Sequence, residues 1–508
     1  MNYKNLAPPA GDGATLIMPP FSEYGKIIEN NRALTRDVRI GDDSLQSLAV
    51  EARRLAVDAA LFYTRGLGLD PGDNIDPAGP IIASGHQPIA LHPGLMLKQF
   101  ALAREARRMN AVPLFFSVDS DEFKGDTVPA PVMDGCLRRI DHPLFPQEGK
   151  VIFEKAKVEP PEKTIQRLED LRQSLSHPRL SKLHMALGLF IDRLKIADLE
   201  NPNFTARQIL LRSAWRNRIE GGFMELTVSR ICGHKPFLKF AEDIIGRIGE
   251  FKTIYNGELA RYRKEHKLRY AVNPFPDLAE HSGLIETPFW IVKDESREKL
   301  FARETDKGGA VLFTQDGGQQ PLSDLASGSA GIWIRPRAIV LSIYLRLFVC
   351  DLFIHGVGGA KYDTVTDRII KAFYGIEPPS LACVTGTAWA GIDADDPGEE
   401  IETVEAQLRK IEHHPETSGG HGELFGKLTA EKKEMVEMIR KPGSDRKNIG
   451  IRISKLNKEM SAILAPAKKR LLAKRKSLKR KQEERQVAQA RDYPYFYYKP
   501  ENIASLLD

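Results

Sequence analysis

Cysteine is scarce. Four occur in 508 residues, Cys136, Cys232, Cys350 and Cys383, widely spaced and with no Cys-x-x-Cys pair. That excludes a disulfide framework and a zinc ribbon, and reads as reduced, mostly buried thiols. Long apolar runs are missing too: none approaches the ~20 residues that a membrane-spanning helix needs. The opening stretch, MNYKNLAPPAGDGATLIMPP, lacks the basic segment and apolar run of a secretory signal. A soluble, cytoplasmic protein without a membrane partner is the expectation. A disordered chain is excluded as well, because 42% hydrophobic residues suffice for a large core. At ~150 residues per domain, the length suggests about three units.

Charge of one sign is modest overall, a net +6, but it is unevenly placed. Much of the excess lies in KKRLLAKRKSLKRKQEER, Lys468 to Arg485. The run has helical period and no interleaved aromatics for stacking, so it reads as a solvated helix face. A nucleic-acid partner is not expected from it.

What is present is a βαβ pattern. PIIAS is a short β-type run. Leu95 to Met109 carries Leu95, Phe100, Leu102, Ala103 and Ala106 among Lys and Arg, as an amphipathic helix does. AVPLFFSV is a second buried strand. Strand, crossover and strand imply a parallel sheet. This first part of an α/β core spans 1–150. A charged, helical stretch over 151–270 reads as an insertion, and α/β character returns over 271–395. Over 396–492, Ile449, Ile453, Leu456, Met460, Ile463 and Ala467 alternate steps of four and three, a heptad seam. RKPGSD breaks this region into an antiparallel helical hairpin, and Pro466 should kink its second arm. The aromatic tail, 493–508, should dock on the core.

Two loops follow the first strands, SGHQPIALHPG and SVDSDEF. In a parallel sheet both reach the rim where ligands bind. His86 and His92 can donate to phosphate oxygens or act as general acid and base. Asp119, Asp121 and Glu122 supply carboxylates. Gly85 permits close approach of a ligand, and Gly94 opens a helix whose free N–H groups favour an anion. A second constellation is IWIRPRAIV…HGVGGAKYDTVTDR. There Gly356, Gly358 and Gly359 precede a helix expected to begin near Asp363, and Arg335 and Arg337 can clamp a carboxylate or phosphate. It is neither a P-loop nor a dinucleotide fingerprint.

SGHQPIALHPGLMLK and AVPLFFSVDSDEF, followed in order by TPFWIVKDESREKLF, IRPRAIVLSIYLRLFVCDLFIHGVGGAKY and KAFYGIEPP, resemble the blocks of the bacillithiol-biosynthesis cysteine-adding enzymes. The resemblance covers most of the chain, through loose motifs. It implies a Rossmann-like core related to class I aminoacyl-tRNA synthetases, a helical insertion, and a C-terminal antiparallel coiled coil that makes a homodimer. It implies a carbon–nitrogen ligase that joins cysteine to glucosaminyl-malate, with ATP or ADP in the site and Mg²⁺ alongside. Gly85, Gln87, the Asp119–Phe123 loop and the glycines of Gly356–Gly359 are the matching positions. His86 stands where the family usually has Gln, Asp121 where it usually has His, and Lys98 falls two positions early. These departures imply a divergent branch with another acceptor.

The candidate catalytic residues are therefore His86, His92, Asp119 and Asp121. The candidate nucleotide- and substrate-binding residues are Gly85, Gln87, Gly94, Lys98, Glu122, Arg335, Arg337, His355, Gly356, Gly358, Gly359 and Lys361. Three rival readings compete: a metal-dependent amidase or deacetylase using His86, His92, Asp119 and Asp121; a non-catalytic nucleotide-binding scaffold; and RNA binding through Lys468 to Arg485.

Overall fold

The computed structural model describes residues 6–34, 37–72, 75–217, 219, 221–269, 275–305, 309–321 and 332–508. The chain is mixed α/β and divides into two compact units, one of residues 1–130, 140–390 and 491–508, the other of 131–139 and 391–490. Among the described residues no helix is long and apolar enough to cross a membrane. None of the four cysteines is in a disulfide.

The first unit is organised by a six-stranded, mostly parallel sheet. Its strands and neighbouring helices in chain order are β1 (Thr15–Met18), α1 (Leu45–Gly66), β2 (Ile81–His86), α2 (Pro93–Arg108), β3 (Val112–Ser117), α3 (Phe204–Arg216) and β4 (Met224–Thr227). A second sheet follows, containing β5 (Leu284–Lys293), β6 (Ser296–Glu304), β7 (Ala310–Phe313) and β8 (Ile332–Pro336). The chain then returns through α4 (Ala338–Tyr344), β9 (Leu352–His355), α5 (Val357–Tyr374) and β10 (Ala382–Gly386).

The main sheet runs β1-β10-β9-β2-β3-β4. Among the described strands of this sheet only β1 is antiparallel, against β10. Counting the parallel strands in chain order, their spatial order is 3-2-1-4-5 from β4 to β10. Alternation sorts the side chains. Ile81, Ala83, Leu114, Phe116, Met224, Leu226 and Phe353 pack into one large core with α1. The stripe that α1 offers is Leu45, Leu48, Ala52, Ala56 and Ala60, all buried at three- and four-residue spacing. The intervening residues meet α2 and α3 instead, and the Arg212 guanidinium sits 5.6 Å over the Phe115 ring.

Two expectations about organisation change here. Residues 151–270 are not purely a helical insertion, because β4 lies inside them and forms the sheet edge beside β3. The strands of 271–395 do not all extend the parallel sheet: β5 pairs antiparallel with both β6 and β8, making a separate sheet. The apolar segment AIVLSIYLRLFVCDLF, long enough for a single buried helix, divides into α4, a π-helical turn over Leu345–Val349, and β9.

The aromatic tail belongs to the first unit. The Tyr495 amide donates to the Leu91 carbonyl at 2.8 Å, and Trp215 Nε1 donates to the Tyr498 carbonyl at 3.0 Å. The second unit contains α6 (Gly398–His413), α7 (Glu423–Ile439), α8 (Arg446–Ile463) and α9 (Ala465–Ala488). α7 and α8 flank the RKPGSD break. Leu456 and Met460 of the heptad seam are buried against Phe425 and Leu428, while Ile463 is exposed. Pro466 does not kink an arm. It lies in the first turn of a new helix, where its missing N–H costs nothing.

Candidate functional site

β2 and β3 pair in parallel, with Gly85 opposite Phe116 and His86 opposite Ser117. β9 pairs in parallel with β2 on its other side. The loops after all three strands therefore leave the same rim. The chain moves from β2 to β3 in one direction and from β9 to β10 in the other, so the order reverses between β2 and β9. In open α/β sheets a ligand crevice lies at such a reversal. A cavity of about 200 Å³ opens there. Phe116, Phe353, Leu341 and Leu345 form its apolar walls, and Gln87, Asp121, Ser342 and His355 add polar groups. The π-helical turn supplies Leu345 to that wall.

The sequence-predicted residues distribute unevenly around this cavity. Gly85 lines it, but its own requirement is strand packing: a Cβ there would lie 2.7 Å from the Phe116 carbonyl oxygen. Gln87 Nε2 donates to Asp121 Oδ2 at 2.6 Å, and Arg297 of β6 donates to Asp121 Oδ1 at 2.6 Å. Asp121 is thus half of an ion pair at the mouth rather than a free base. Glu122 starts a two-residue strand opposite Ile152 and has Lys124 at 3.6 Å. It is not a wall of this cavity.

Asp119 is buried and taken up by Ser229, whose amide donates to Oδ1 at 2.9 Å and whose hydroxyl donates to Oδ2 at 2.5 Å. Burial, with the Glu154 charge second, pushes its carboxyl up to about 6 despite those bonds. Arg335 and Arg337 are not free clamps. Arg335 makes a bidentate pair with Glu154, both bonds 2.8 Å, and Arg337 lies 2.7 Å from Glu286 and 3.9 Å over the Trp290 ring. Each is buried with its own carboxylate, the arrangement a buried guanidinium needs.

The two histidines also part company. His92 is the N-cap of α2, its Nδ1 accepting from the Gly94 amide at 3.1 Å. Burial, then the Arg491 charge, lowers it to about 4, so at neutral pH it stays an acceptor. Gly94 is fixed by packing, since a Cβ would lie 2.5 Å from the Gly386 carbonyl oxygen. His86 ends β2 on the alternate face from Gly85. Burial and the nearby Lys98 charge lower it to about 3. Lys98 is buried and donates to the Gly85 carbonyl at 3.0 Å; burial lowers its amine to about 8. It braces the loop from beneath.

The second constellation is organised differently from its expected form. The helix begins at Val357, not near Asp363, and Gly356 is its N-cap without a side-chain bond. Gly358 and Gly359 lie in the first turn, where amides have no intrahelical acceptor and the helix end favours an anion. Lys361 stands in the following turn, half-buried. A Cβ on Gly359 would lie 2.4 Å from His355 Nδ1, so only glycine leaves room for that ring. His355 Nε2 is 2.9 Å from Asp363 Oδ2. Asp363 also accepts from Ser342 at 2.7 Å, Arg346 at 3.0 Å and Thr366 at 2.8 Å. Burial would raise this carboxyl, but His355 and Arg346 beside it, with those bonds, hold it well below the ordinary range.

Sequence reasoning passed over Asp363, Arg346, Arg297, Glu154 and Ser229 as site-supporting residues. Only Asp363 carried a local signal, one carboxylate eight residues after a strand-end histidine. Among the described residues no group of three His, Cys, Asp or Glu side chains converges as a metal site. Compared with models of known protein families the chain matches none, and no curated protein matches it either.

Proposed function

We propose that the protein is a nucleotide-dependent carbon–nitrogen ligase on a Rossmann-like core. It binds an adenine nucleotide with Mg²⁺ in the crevice between β2 and β9 and joins an amine to an activated carboxyl group. Cysteine and glucosaminyl-malate are the first pair to test. One observation carries the nucleotide half: the 3-2-1-4-5 strand order reverses at the cavity, whose wall includes His355, the residue just before the uncapped start of α5. The ligation half rests on the sequence resemblance.

In this reading the first-turn amides of α5 and Lys361 hold an anionic group. His355, with Nε2 held by Asp363, leaves Nδ1 to take the proton as the amine nitrogen bonds to the acyl carbon and phosphate or AMP departs. The ionised Asp363 stabilises the imidazolium formed. His92, Asp119 and Asp121 are already engaged with Gly94, Ser229 and Arg297, so proton transfer falls to His355 rather than to them. The helices of the second unit act as a coiled coil pairing two copies in the cytoplasm, through exposed apolar residues such as Ile451 and Met438.

Calorimetric titration with ATP, ADP and AMP in Mg²⁺ buffer, before the protein is treated with EDTA and after EDTA has been removed and Mg²⁺ returned, tests the reading. Micromolar binding, unchanged by stripping transition metals, is the expected result, and His355→Ala should keep that binding while losing ligation. Absence of nucleotide binding overturns it. Binding with no product from cysteine and glucosaminyl-malate, or from related amine and acid pairs, favours the non-catalytic scaffold.

A further inference from the structure

The second unit carries a groove of about 1080 Å³ between α9 and residues 134–139. Six cations line it, Arg138, Arg139, Arg475, Lys476, Lys479 and Arg480, against three acids, Asp134, Glu483 and Glu484. The basic run that reads as one solvated face in the sequence has two distinct faces in the fold. Leu471 and Leu478 turn toward Ile401, Val404 and Leu408 of α6. On that same side Lys474 pairs with Glu400 at 3.3 Å, Lys481 with Asp395 at 2.7 Å, and Arg485 with Asp396. This face is neutralised from within.

The groove face is not. Arg480 is tied to the Gly135 carbonyl and lies 3.7 Å from Glu484, and Arg138 lies 3.4 Å from Asp134. Among the described residues, Arg475, Lys476 and Lys479 form no ion pair. Arg475 and Lys479, like Lys476 and Arg480, stand one helical turn apart, a spacing at which like charges cost the helix ~0.2–0.5 kcal/mol per pair. For Arg475 and Lys479 no ion pair among the described residues recovers that cost. An anionic partner would.

We propose that this groove binds the phosphate backbone of a nucleic-acid duplex. A single strand needs aromatic platforms on which bases stack, and among the described residues no aromatic lines the groove. An anionic membrane surface is a poorer fit, because interfacial helices bury an apolar face in lipid, whereas Leu471 and Leu478 are turned to α6. Recognition is independent of sequence, since long cations on one helix face reach phosphates without reading base edges. The inference concerns the second unit alone and does not rest on the nucleotide reading of the first.

The test is fluorescence anisotropy of the full-length protein with labelled RNA and DNA duplexes of about 20 base pairs over a series of salt concentrations. Three unpaired cations predict a slope of log affinity against log salt of about −2.7, about 0.9 per phosphate neutralised. Replacing Arg475, Lys476 and Lys479 together by Gln should bring the slope toward zero and weaken binding at least ~tenfold at low salt. Lys474→Gln with Lys481→Gln, on the neutralised face, should leave the slope unchanged. Equal thermal stability of both variants, read by circular dichroism, excludes misfolding. Binding of one duplex type over the other identifies the source. The proposal is overturned if neither duplex binds, if the triple variant binds as the parent does, or if single strands or anionic vesicles bind more tightly.

Discussion

His355 and Asp363 face each other at 2.9 Å across the turn from β9 into α5. The contact ties the last residue of a strand at the sheet's reversal point to a carboxylate held by three further donors, Ser342, Arg346 and Thr366. Orientation of the ring and ionisation of its partner are thus fixed by the fold before any ligand arrives.

The two members of this pair should fail differently. Asp363→Asn leaves the buried Arg346 guanidinium facing a neutral amide, although Asp367 still accepts from it at 2.6 Å. Loss of about 3–5 kcal/mol of stability is expected, the scale for breaking a buried ion pair. His355→Gln removes one hydrogen bond of several and should cost about 1 kcal/mol, while ligation turnover falls sharply and nucleotide still binds. Urea unfolding, calorimetry and turnover of both variants separate the roles. Equal destabilisation by the two changes would make His355 structural.

Stability should depend on pH through opposing groups. His86 is lowered to about 3, chiefly by burial, so on acidification from pH ~6.5 the unfolded chain takes up a proton that the folded chain refuses until about 3. Stability from this group is lost across that window as pH falls. Asp363 acts in the same sense but lower, from the ordinary carboxylate value near ~4 downward, because its folded pKa is depressed. Asp119 and Asp126 are raised by burial to about 6, so their contribution falls as pH rises from ~4 to 6. The difference between parent and variant isolates one group. His86→Gln is expected to lose less stability than the parent between pH 7 and about 4, measured by denaturant unfolding at each pH.

The β2–α2–β3 unit was legible because its hydrophobic period switches cleanly from strand to helix and back. β4 was not: MELT is a four-residue strand among helices, and nothing local says that it pairs with β3. The seam Leu456–Met460 was readable from heptad spacing, whereas the break at Pro466 was misplaced because proline at a first turn and proline at a kink look alike in sequence. At the site, the loops were found by their odd composition. The partners that occupy Asp119, Asp121, Arg335 and Arg337 come from distant segments, as with Arg297 on Asp121. Sequence spacing carries no trace of such pairs.

The glycines divide by what surrounds them. A Cβ on Gly85 or Gly94 would meet a backbone carbonyl oxygen at 2.7 or 2.5 Å, and neither carbonyl can yield without moving a strand. Alanine at either position should cost roughly 1–3 kcal/mol, the range for overpacking. At Gly358, which lies within α5, an added methyl would find nothing within 4 Å. Gly358→Ala should be neutral or stabilise by up to about 1 kcal/mol, through the lower entropy of the unfolded chain. Thermal melts of the three variants check the contrast.

His92 is the sharpest case of two readings with one signature, because a histidine before Pro-Gly at a helix start suits either catalysis or capping. The 3.1 Å bond from the Gly94 amide to its Nδ1 assigns the cap. Capping and catalysis respond differently to asparagine, which accepts an amide hydrogen bond at an N-cap as well as any residue but cannot shuttle a proton near neutral pH. His92→Ala should therefore lower stability by about 1 kcal/mol, and His92→Asn should restore most of it. Nucleotide affinity at the β2–β9 crevice should be unchanged in both once the folded fraction is accounted for. If asparagine restores stability while turnover stays as low as in the alanine variant, the imidazole itself takes part in the reaction, and the capping assignment explains only half of what the residue does.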